Sequence, residues 1–267
     1  MLKVSLPEIS QKNMFVDTHS HIYSSEFSLD RDEVITRALR SGVERIVLPN
    51  IDSSSLKPML DLTDSVPGLF YPLIGLHPTS VKEDYKNELQ ILEYWMGKRK
   101  FYGVGEIGID LYWDKSFFDE QVDAFKTQIG WAKKQNLPVI IHVRDSFNET
   151  FQVLKEEYTP GLSGIFHSFT GTAEQAKEVI DMGFKLGANG IVTFKNSGLD
   201  DVFGQIDLKH VVIETDSPWL APAPHRGKRN ECAYIQLVAE KLAALHGTTV
   251  KEVATVTTRN AQEIFHF

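Results

Sequence analysis

Two histidines stand two residues apart near the start of the chain, in the segment FVDTHSH at positions 15–21. In extended backbone such residues project from the same face, so the imidazoles of His19 and His21 can turn toward one ion. Neutral imidazole nitrogens are common ligands of divalent metals. The pair also fits a polar turn that holds two histidines by chance, and on its own it leaves both interpretations open.

Four further polar residues follow apolar segments of strand length in the same manner. They are Glu106, His142, His167 and Asp216. Polar groups at such places are costly to bury unless they are hydrogen bonded or bound to an ion. With His19 and His21 they offer nitrogen and oxygen donors without sulfur, a set that suits Zn²⁺, Mn²⁺ or Mg²⁺. These donors outnumber the roughly three that a single catalytic zinc uses, so we expect two divalent ions, with Glu106 able to bridge them.

Eight apolar runs of strand length alternate along the chain with segments of helical period. The runs cover residues 14–16, 45–48, 69–76, 101–107, 138–141, 164–166, 184–188 and 211–213. Parallel neighbours need crossover connections, so this alternation predicts a parallel sheet. The count of eight, without a glycine-rich phosphate loop after the first run, favours a single (β/α)8 TIM barrel over an open doubly wound sheet. In a barrel the C-terminal ends of the strands converge, and we expect the candidate ligands there.

Apolar residues at helical spacing predict the intervening helices. Asp30 is expected to cap the first of them, with Glu33 three residues on as the second member of a capping box. Further helices are predicted to end near Ser65 and to cover residues about 87–96, 118–132, 173–182, 234–246 and 250–265.

Length and composition restrict the class of protein. The 267 residues, 42% of them hydrophobic, fit one barrel domain over residues 1–267, and a two-domain chain is the alternative on length alone. A formal net charge of −8 argues against the broad basic face of a tight nucleic-acid binder. The single cysteine, Cys232, excludes a disulfide framework and a thiolate zinc finger.

The sequence carries no recognisable targeting segment. No run of about 18 apolar residues predicts a transmembrane helix, and residues 1–13 lack the apolar stretch of a signal peptide. We therefore expect a cytoplasmic protein without membrane contact. Residues 1–13 are interpreted as a short N-terminal tail, with either Met1 or Met14 as the start.

The motifs taken together resemble those of the TatD family of metal-dependent deoxyribonucleases, within the amidohydrolase-like group of barrels. The similarity extends from Asp17 to about Asn260. It rests on DTHSH (17–21), GLHP (75–78), GEIGID (105–110), HVR (142–144), HSFTG (167–171), ETDSP (214–218), RNE (229–231) and TRN (258–260), in family order. Each motif is weak alone, and the series is highly specific.

The resemblance implies a division of the ligands between two ions. His19, His21 and Asp216 would bind one ion, His142 and His167 the other, and Glu106 would bridge or approach both. The family is described as Mg²⁺-dependent nucleases that trim DNA, often from the 3′ end. Members with zinc or other ions are known, and a few are linked to aminoacyl-tRNA deacylation. Tyr23 departs from the pattern, since the family usually has Asp or Asn there, which puts the subfamily and the substrate in question.

For a nuclease, other residues acquire expected roles. Asp216 or Glu106 would accept a proton from the attacking water. His77 would contact the scissile phosphate, although a structural turn explains it equally well. Arg144 would bind phosphate or a carboxylate of a ligand, although a structural ion pair explains it equally well.

Two further groups are open to a functional and a structural interpretation. Tyr112 and Trp113 would stack on a base, or simply pack. Arg226, Lys228 and Arg229 would steer an anionic substrate, or belong to a solvated loop.

Other functions fit the same ligands. Water activation is indifferent to the substrate, so a metal-dependent amide, ester or lactone hydrolase is the alternative. A barrel that keeps metal only for stability is a third possibility. We expect DNA, as single strands or 3′ ends, to be the substrate and a monomer to be the default state.

Overall fold

The computed structural model describes residues 13–267. The expected N-terminal tail therefore lies outside the described residues, except for its last residue. All strand pairings in this part of the chain are parallel. The strands are β1 (Phe15–Asp17), β2 (Val43–Leu48), β3 (Phe70–Pro72), β4 (Val104–Asp110), β5 (Val139–Arg144), β6 (Gly164–Phe166), β7 (Lys185–Ala188) and β8 (Val211–Ile213).

The strands follow one another in sequence order around the fold. Strands β1 to β3 form one sheet and β4 to β8 another. At one seam Ile74 forms a parallel bridge with Val104 of β4. At the other, Ser20 bridges to Ser217, and the N–H of Asp216 donates to the carbonyl oxygen of His19 at 2.8 Å. The order runs from β1 to β8 and back to β1, which is the arrangement of the predicted (β/α)8 barrel.

Helices occupy the segments between the strands, as the periodicity predicts. They are α1 (Arg31–Arg40), α2 (Ser53–Ser65), α3 (Tyr85–Met96), α4 (Phe118–Gln135), α5 (Phe147–Glu157), α6 (Ala173–Asp181), α7 (Leu199–Phe203), α8 (Ile235–His246) and α9 (Val250–Phe265). Helices α5 and α7 are additional to the predicted set, and α7 is too short to show a period. Within residues 13–267 no helix combines the length and the apolar character needed to cross a membrane.

The start of α1 differs from the expected capping box. Asp30 occupies the N-cap position, but its carboxylate makes no capping hydrogen bond. Its two oxygens instead accept from the guanidinium of Arg229 at 2.8 and 2.6 Å. The predicted box is therefore wrong, because a bidentate charge-assisted pair is stronger than a bond to a backbone N–H. Arg229 accordingly ties the loop after β8 to α1.

The interior of the barrel is layered by the two-residue period of its strands. Ile140, Ile165 and Val212 lie in a buried apolar cluster that also contains Ala261 and Ile264 of α9. The residues two positions further along the chain are His142, His167 and Glu214. The two-residue period therefore places these polar side chains on the interior face of the barrel, next to the apolar cluster and closer to the C-terminal ends of the strands.

Glu106 and His142 are predicted to come at the ends of β4 and β5, and this placement is wrong. Both lie inside these strands, which continue to Asp110 and Arg144. Pairing of Gly108 with His142 extends the ladder. Gly108 has φ +146, and a Cβ there would overlap the carbonyl oxygen of His142. Only glycine permits so close an approach of the two backbones.

Candidate metal centre

One oxygen of the buried Glu106 carboxylate faces the histidines that follow β1. Oε2 lies 3.1 Å from Nε2 of His19 and 3.7 Å from Nε2 of His21. These two nitrogens are 3.2 Å apart. Oδ1 of Asp216 lies 3.7 and 3.8 Å from the same nitrogens. The structure therefore brings together the residues that the family resemblance assigns to the first ion.

The other oxygen of Glu106 faces a second group of imidazoles. Oε1 lies 2.7 Å from Nδ1 of His142 and 3.7 Å from Nε2 of His167. Nε2 of His167 also lies 3.9 Å from Oδ2 of Asp216. His77 joins this group, with its Nε2 at 3.3 Å from Oε1. One carboxylate thus stands between two sets of donors.

The donors fit divalent metal. Within residues 13–267, three groups each contain three donor atoms that lie within 4.8 Å of one another. The groups are His19, His167 and Asp216; His19, His21 and Glu106; and His77, Glu106 and His142. Imidazole nitrogens suit Zn²⁺ and carboxylate oxygens suit Mg²⁺ and Mn²⁺, and each group contains both kinds of donor. The rings of His19 and His167 stack with centroids 3.4 Å apart. A cation satisfies ring nitrogens that are crowded together in this way and buried from water.

Tyr23 orients the ring of His21. The phenol O–H donates to the carbonyl oxygen of Pro49 at 2.6 Å. A carbonyl only accepts, so the phenol oxygen is left to accept from Nδ1 of His21, which lies 2.9 Å away. The proton of a neutral His21 is therefore on Nδ1, and Nε2 presents a lone pair to the centre.

Carboxylates lie beside two of the other three candidate ligand histidines. Nε2 of His142 lies 2.9 Å from Oδ2 of Asp110, and Nδ1 of His167 lies 2.9 Å from Oε1 of Glu214. Such partners fix the orientation of a metal-binding ring. Neither Asp110 nor Glu214 is among the residues predicted from the sequence to take part in the site. Asp110 belongs to the motif GEIGID and Glu214 to the motif ETDSP. The signal that could have identified them was an acidic residue close to a predicted ligand.

His77 differs from His21 in the ring nitrogen that carries the proton. The backbone N–H of Thr79 donates to Nδ1 of His77 at 3.1 Å, so this nitrogen carries no proton. Burial lowers the pKa of His77, which keeps the ring neutral with its proton on Nε2. The atom that faces Glu106 and the pocket is therefore an N–H donor, consistent with the predicted contact to substrate.

The two carboxylates that are predicted to accept a proton differ in acidity. Burial would raise the pKa of Glu106, but the N–H groups of the surrounding imidazoles, that of His77 first, hold it well below its usual range. Burial raises the pKa of Asp216 to about 7, against the opposing charge of His167. Asp216 is thus the weaker acid of the pair.

The centre opens into a pocket of about 440 Å³ whose walls include Arg144, Trp113 and Trp219. The guanidinium of Arg144 lies 4.0 Å from the ring centroid of Tyr112 and 5.3 Å from that of Trp113. Arg144 forms no ion pair with a residue in 13–267, which weighs against the structural interpretation of this residue. Tyr112 supports Arg144 and does not line the pocket.

Trp219 is a pocket residue that sequence reasoning missed. It follows β8, whereas Trp113 follows β4, and these strands lie on opposite sides of an eight-stranded barrel. The indoles are 44% and 67% exposed. The available signal was an aromatic residue directly after the ETDSP motif.

Comparison with known proteins decides the family. The family model described as "TatD related DNase" matches residues 16–266. The chain belongs to the TatD family. The predicted family is confirmed, and this TatD protein is a metal-dependent hydrolase with buried clusters able to bind metal.

Individual relatives of this TatD protein agree over nearly the whole chain. A Bacillus subtilis protein, named as the uncharacterized metal-dependent hydrolase YabD, is 40% identical over 253 residues, covering 94% of this chain and 99% of its own. A Danio rerio protein, tatdn3, whose name gives a deoxyribonuclease activity as provisional, is 33% identical over 263 residues, covering 94% and 97%. The crystal structure of Escherichia coli YjjV, described as a TatD homolog, matches with a TM-score of 0.89 and 29% identity, covering 95% and 98%. The predicted barrel fold is thereby confirmed.

Proposed function

We propose that this TatD protein is a divalent-metal-dependent deoxyribonuclease that removes nucleotides from the 3′ ends of single-stranded DNA. The observation that carries the proposal is the position of Glu106, whose oxygens face two separate sets of histidines at 2.7 to 3.7 Å. Paired ions a few Å apart are a recurring means of cleaving phosphodiester bonds. The description of the family model and the name of the Danio rerio relative support a nuclease.

The proposed ligands divide between the two oxygens of Glu106. His19, His21 and Asp216 would hold one ion beside Oε2, and His142 and His167 would hold the other beside Oε1. Bound there, the ions lower the pKa of water and neutralise charge on phosphoryl oxygens.

The protein's own groups would position the reactants. Asp216 accepts the proton of the attacking water, because its carboxylate lies beside both sets of histidines. Nε2–H of His77 donates a hydrogen bond to a phosphate oxygen. Arg144, held on the ring of Tyr112, adds a fixed positive charge at the pocket wall. Trp113 and Trp219 offer faces on which unpaired bases stack.

The test uses a single-stranded DNA oligomer labelled at its 3′ end, with Mg²⁺, Mn²⁺ or Zn²⁺ and with EDTA. We expect metal-dependent release of labelled mononucleotide as the first product. Asp216→Asn, shown by circular dichroism to be folded, is the control and should lose the activity. An endonuclease would release longer labelled fragments first, and that result would overturn the proposed removal of nucleotides from the 3′ end.

A neutral ester, an amide and a lactone are assayed beside the DNA. Hydrolysis of one of these by folded, metal-loaded protein, without release from DNA, would replace the nuclease by the alternative hydrolase and retain the metal centre.

A further inference from the structure

Two segments of the loops after β7 and β8 carry cations and no carboxylate. Residues 189–198 contain Lys195, and residues 217–230 contain Arg226, Lys228 and Arg229, without Asp or Glu in either segment. The loop after β1 contains Glu26 and Asp30. Their charges are offset by Arg31, whose guanidinium donates to the carbonyl oxygens of residues 22–24, and by Arg229, which pairs with Asp30. In a chain of net charge −8, one sector of the barrel mouth is therefore positive.

The two positive loops form one surface. The N–H of Ala223 donates to Oγ1 of Thr193 at 2.8 Å. The guanidinium of Arg226 lies 4.5 Å from the ring centroid of Phe194. A Cβ on Gly190 would overlap the carbonyl oxygen of Leu220, so the backbones touch there as well. Lys195 follows Phe194 in the chain, so it comes next to the residue that Arg226 contacts.

Three of the four cations are available to a ligand. Arg229 is engaged by Asp30 and is set aside. Lys195, Arg226 and Lys228 are exposed, and within residues 13–267 none of them forms an ion pair. We call these three residues the cationic rim.

The cationic rim continues the wall of the metal pocket. Trp219 and Leu220 line the pocket, and the chain passes directly from them into the loop that carries Arg226 and Lys228. An extended polyanion that has one phosphate at the centre and leaves over Trp219 therefore meets the rim next.

We propose that the cationic rim binds the phosphates of the uncleaved DNA strand, and that this strand leaves the centre over Trp219 along the loops after β7 and β8. The inference rests on the proposed nuclease function and adds the path of the substrate. Phosphate contacts of this kind position the strand without reading its sequence.

The test compares charge reversals at the two ends of the barrel. The rim variant is Lys195→Glu with Arg226→Glu and Lys228→Glu. The matched control is Lys98→Glu with Lys100→Glu and Lys134→Glu, which reverses three exposed lysines at the opposite end. Lys98 and Lys100 precede β4, and Lys134 lies in the last turn of α4, before β5. A double variant, Lys195→Glu with Lys228→Glu, leaves Arg226 on Phe194 in case the triple variant does not fold.

Binding of a fluorescent phosphorothioate 12-mer to Mg²⁺-loaded protein is followed by anisotropy at several salt concentrations. We expect the rim variant to raise Kd at least tenfold at low salt. It should also lower the slope of log Kd against log salt by about 2, at ~0.7 for each lost phosphate contact. The double variant should lower the slope by about 1.4, and the control should bind like the wild type.

Hydrolysis of bis(p-nitrophenyl) phosphate, which is too short to reach the rim, is measured in parallel. It should change less than twofold in the rim variant. Equal loss of binding in rim variant and control, or unchanged binding in the rim variants, would overturn the path. Absence of phosphodiester hydrolysis in the wild type would instead contradict the proposed function, and the anisotropy result would still decide whether the rim binds a polyanion.

Discussion

The phenol oxygen of Tyr23 lies 2.9 Å from Nδ1 of His21. The family pattern usually has Asp or Asn at this position, and either would accept the same proton. Tyr23 can accept because its own proton goes to the carbonyl oxygen of Pro49. The end of β2 therefore takes part in setting the tautomer of a proposed ligand on the loop after β1.

Removal of that acceptor should weaken metal binding. We expect Tyr23→Phe to lower affinity for Zn²⁺ by 10- to 100-fold, the usual effect of losing an orienting partner, while the fold is retained. Isothermal titration calorimetry gives the affinity, and long-range ¹H–¹⁵N NMR spectra of the ring nitrogens report the tautomer. An unchanged affinity together with a wild-type tautomer would show that Tyr23 only packs.

We expect His77 to donate a hydrogen bond to the substrate and not to bind metal. His77→Ala is expected to lower kcat for DNA by roughly 10²- to 10³-fold, as loss of one donor to a developing charge does, with bound metal unchanged. His77→Gln, which restores an N–H donor, should recover part of kcat. Inductively coupled plasma mass spectrometry checks the metal, and a loss of ions from His77→Ala would make this residue a ligand.

Divalent metal should stabilise the folded protein. Zn²⁺ at about 100 times its Kd adds about 2.7 kcal/mol to the free energy of unfolding, or roughly 5–10 °C in Tm for a chain of this size. Differential scanning calorimetry of EDTA-treated protein with and without Zn²⁺ measures the shift. Glu106→Gln should lose most of it, since both sets of donors share this carboxylate. A full metal-dependent rise in Tm in Glu106→Gln would argue that the two sets of donors do not share this carboxylate.

A pH dependence is expected at a site remote from the metal. Burial, together with a hydrogen bond to Asp123 at 2.7 Å, raises the pKa of Tyr85 to about 12. Between pH ~10, where an unfolded tyrosine ionises, and pH 12, the unfolded chain loses this proton while the folded chain keeps it. The free energy of unfolding should therefore fall across this window. Urea unfolding at pH 9 to 12 measures it, and Tyr85→Phe should show a shallower fall; parallel curves would contradict the shift.

The sequence predicts which candidate ligands lie close together better than it predicts the contacts between them. Apolar runs identify the strands, and a barrel brings residues near their C-terminal ends together whatever their separation in the chain. His19 and Asp216 are adjacent for this reason. The extents of β4 and β5 depend on the close backbone approach at Gly108, which no pattern of hydrophobicity reveals.

Pairings between side chains were beyond the reach of the sequence. Arg229 and Asp30 are 199 residues apart, and only the packing of the β8 loop on α1 makes them partners. The roles of Asp110 and Glu214 depend likewise on the rotamers of His142 and His167. Periodicity predicts the face of a strand or helix on which a side chain lies, but it does not predict which side chain it contacts.

The placement of Glu106 between two sets of donors has a thermodynamic consequence. With the two ions proposed above, an ion at one oxygen would draw electron density from the other, so occupancy of the two positions would be coupled. Such coupling would be reciprocal, since each ion would change the affinity of the other by the same factor. A titration of this protein with Zn²⁺ should therefore be described by two linked constants rather than two identical independent sites, and the proportion of singly loaded protein at intermediate concentrations gives the sign and size of the coupling.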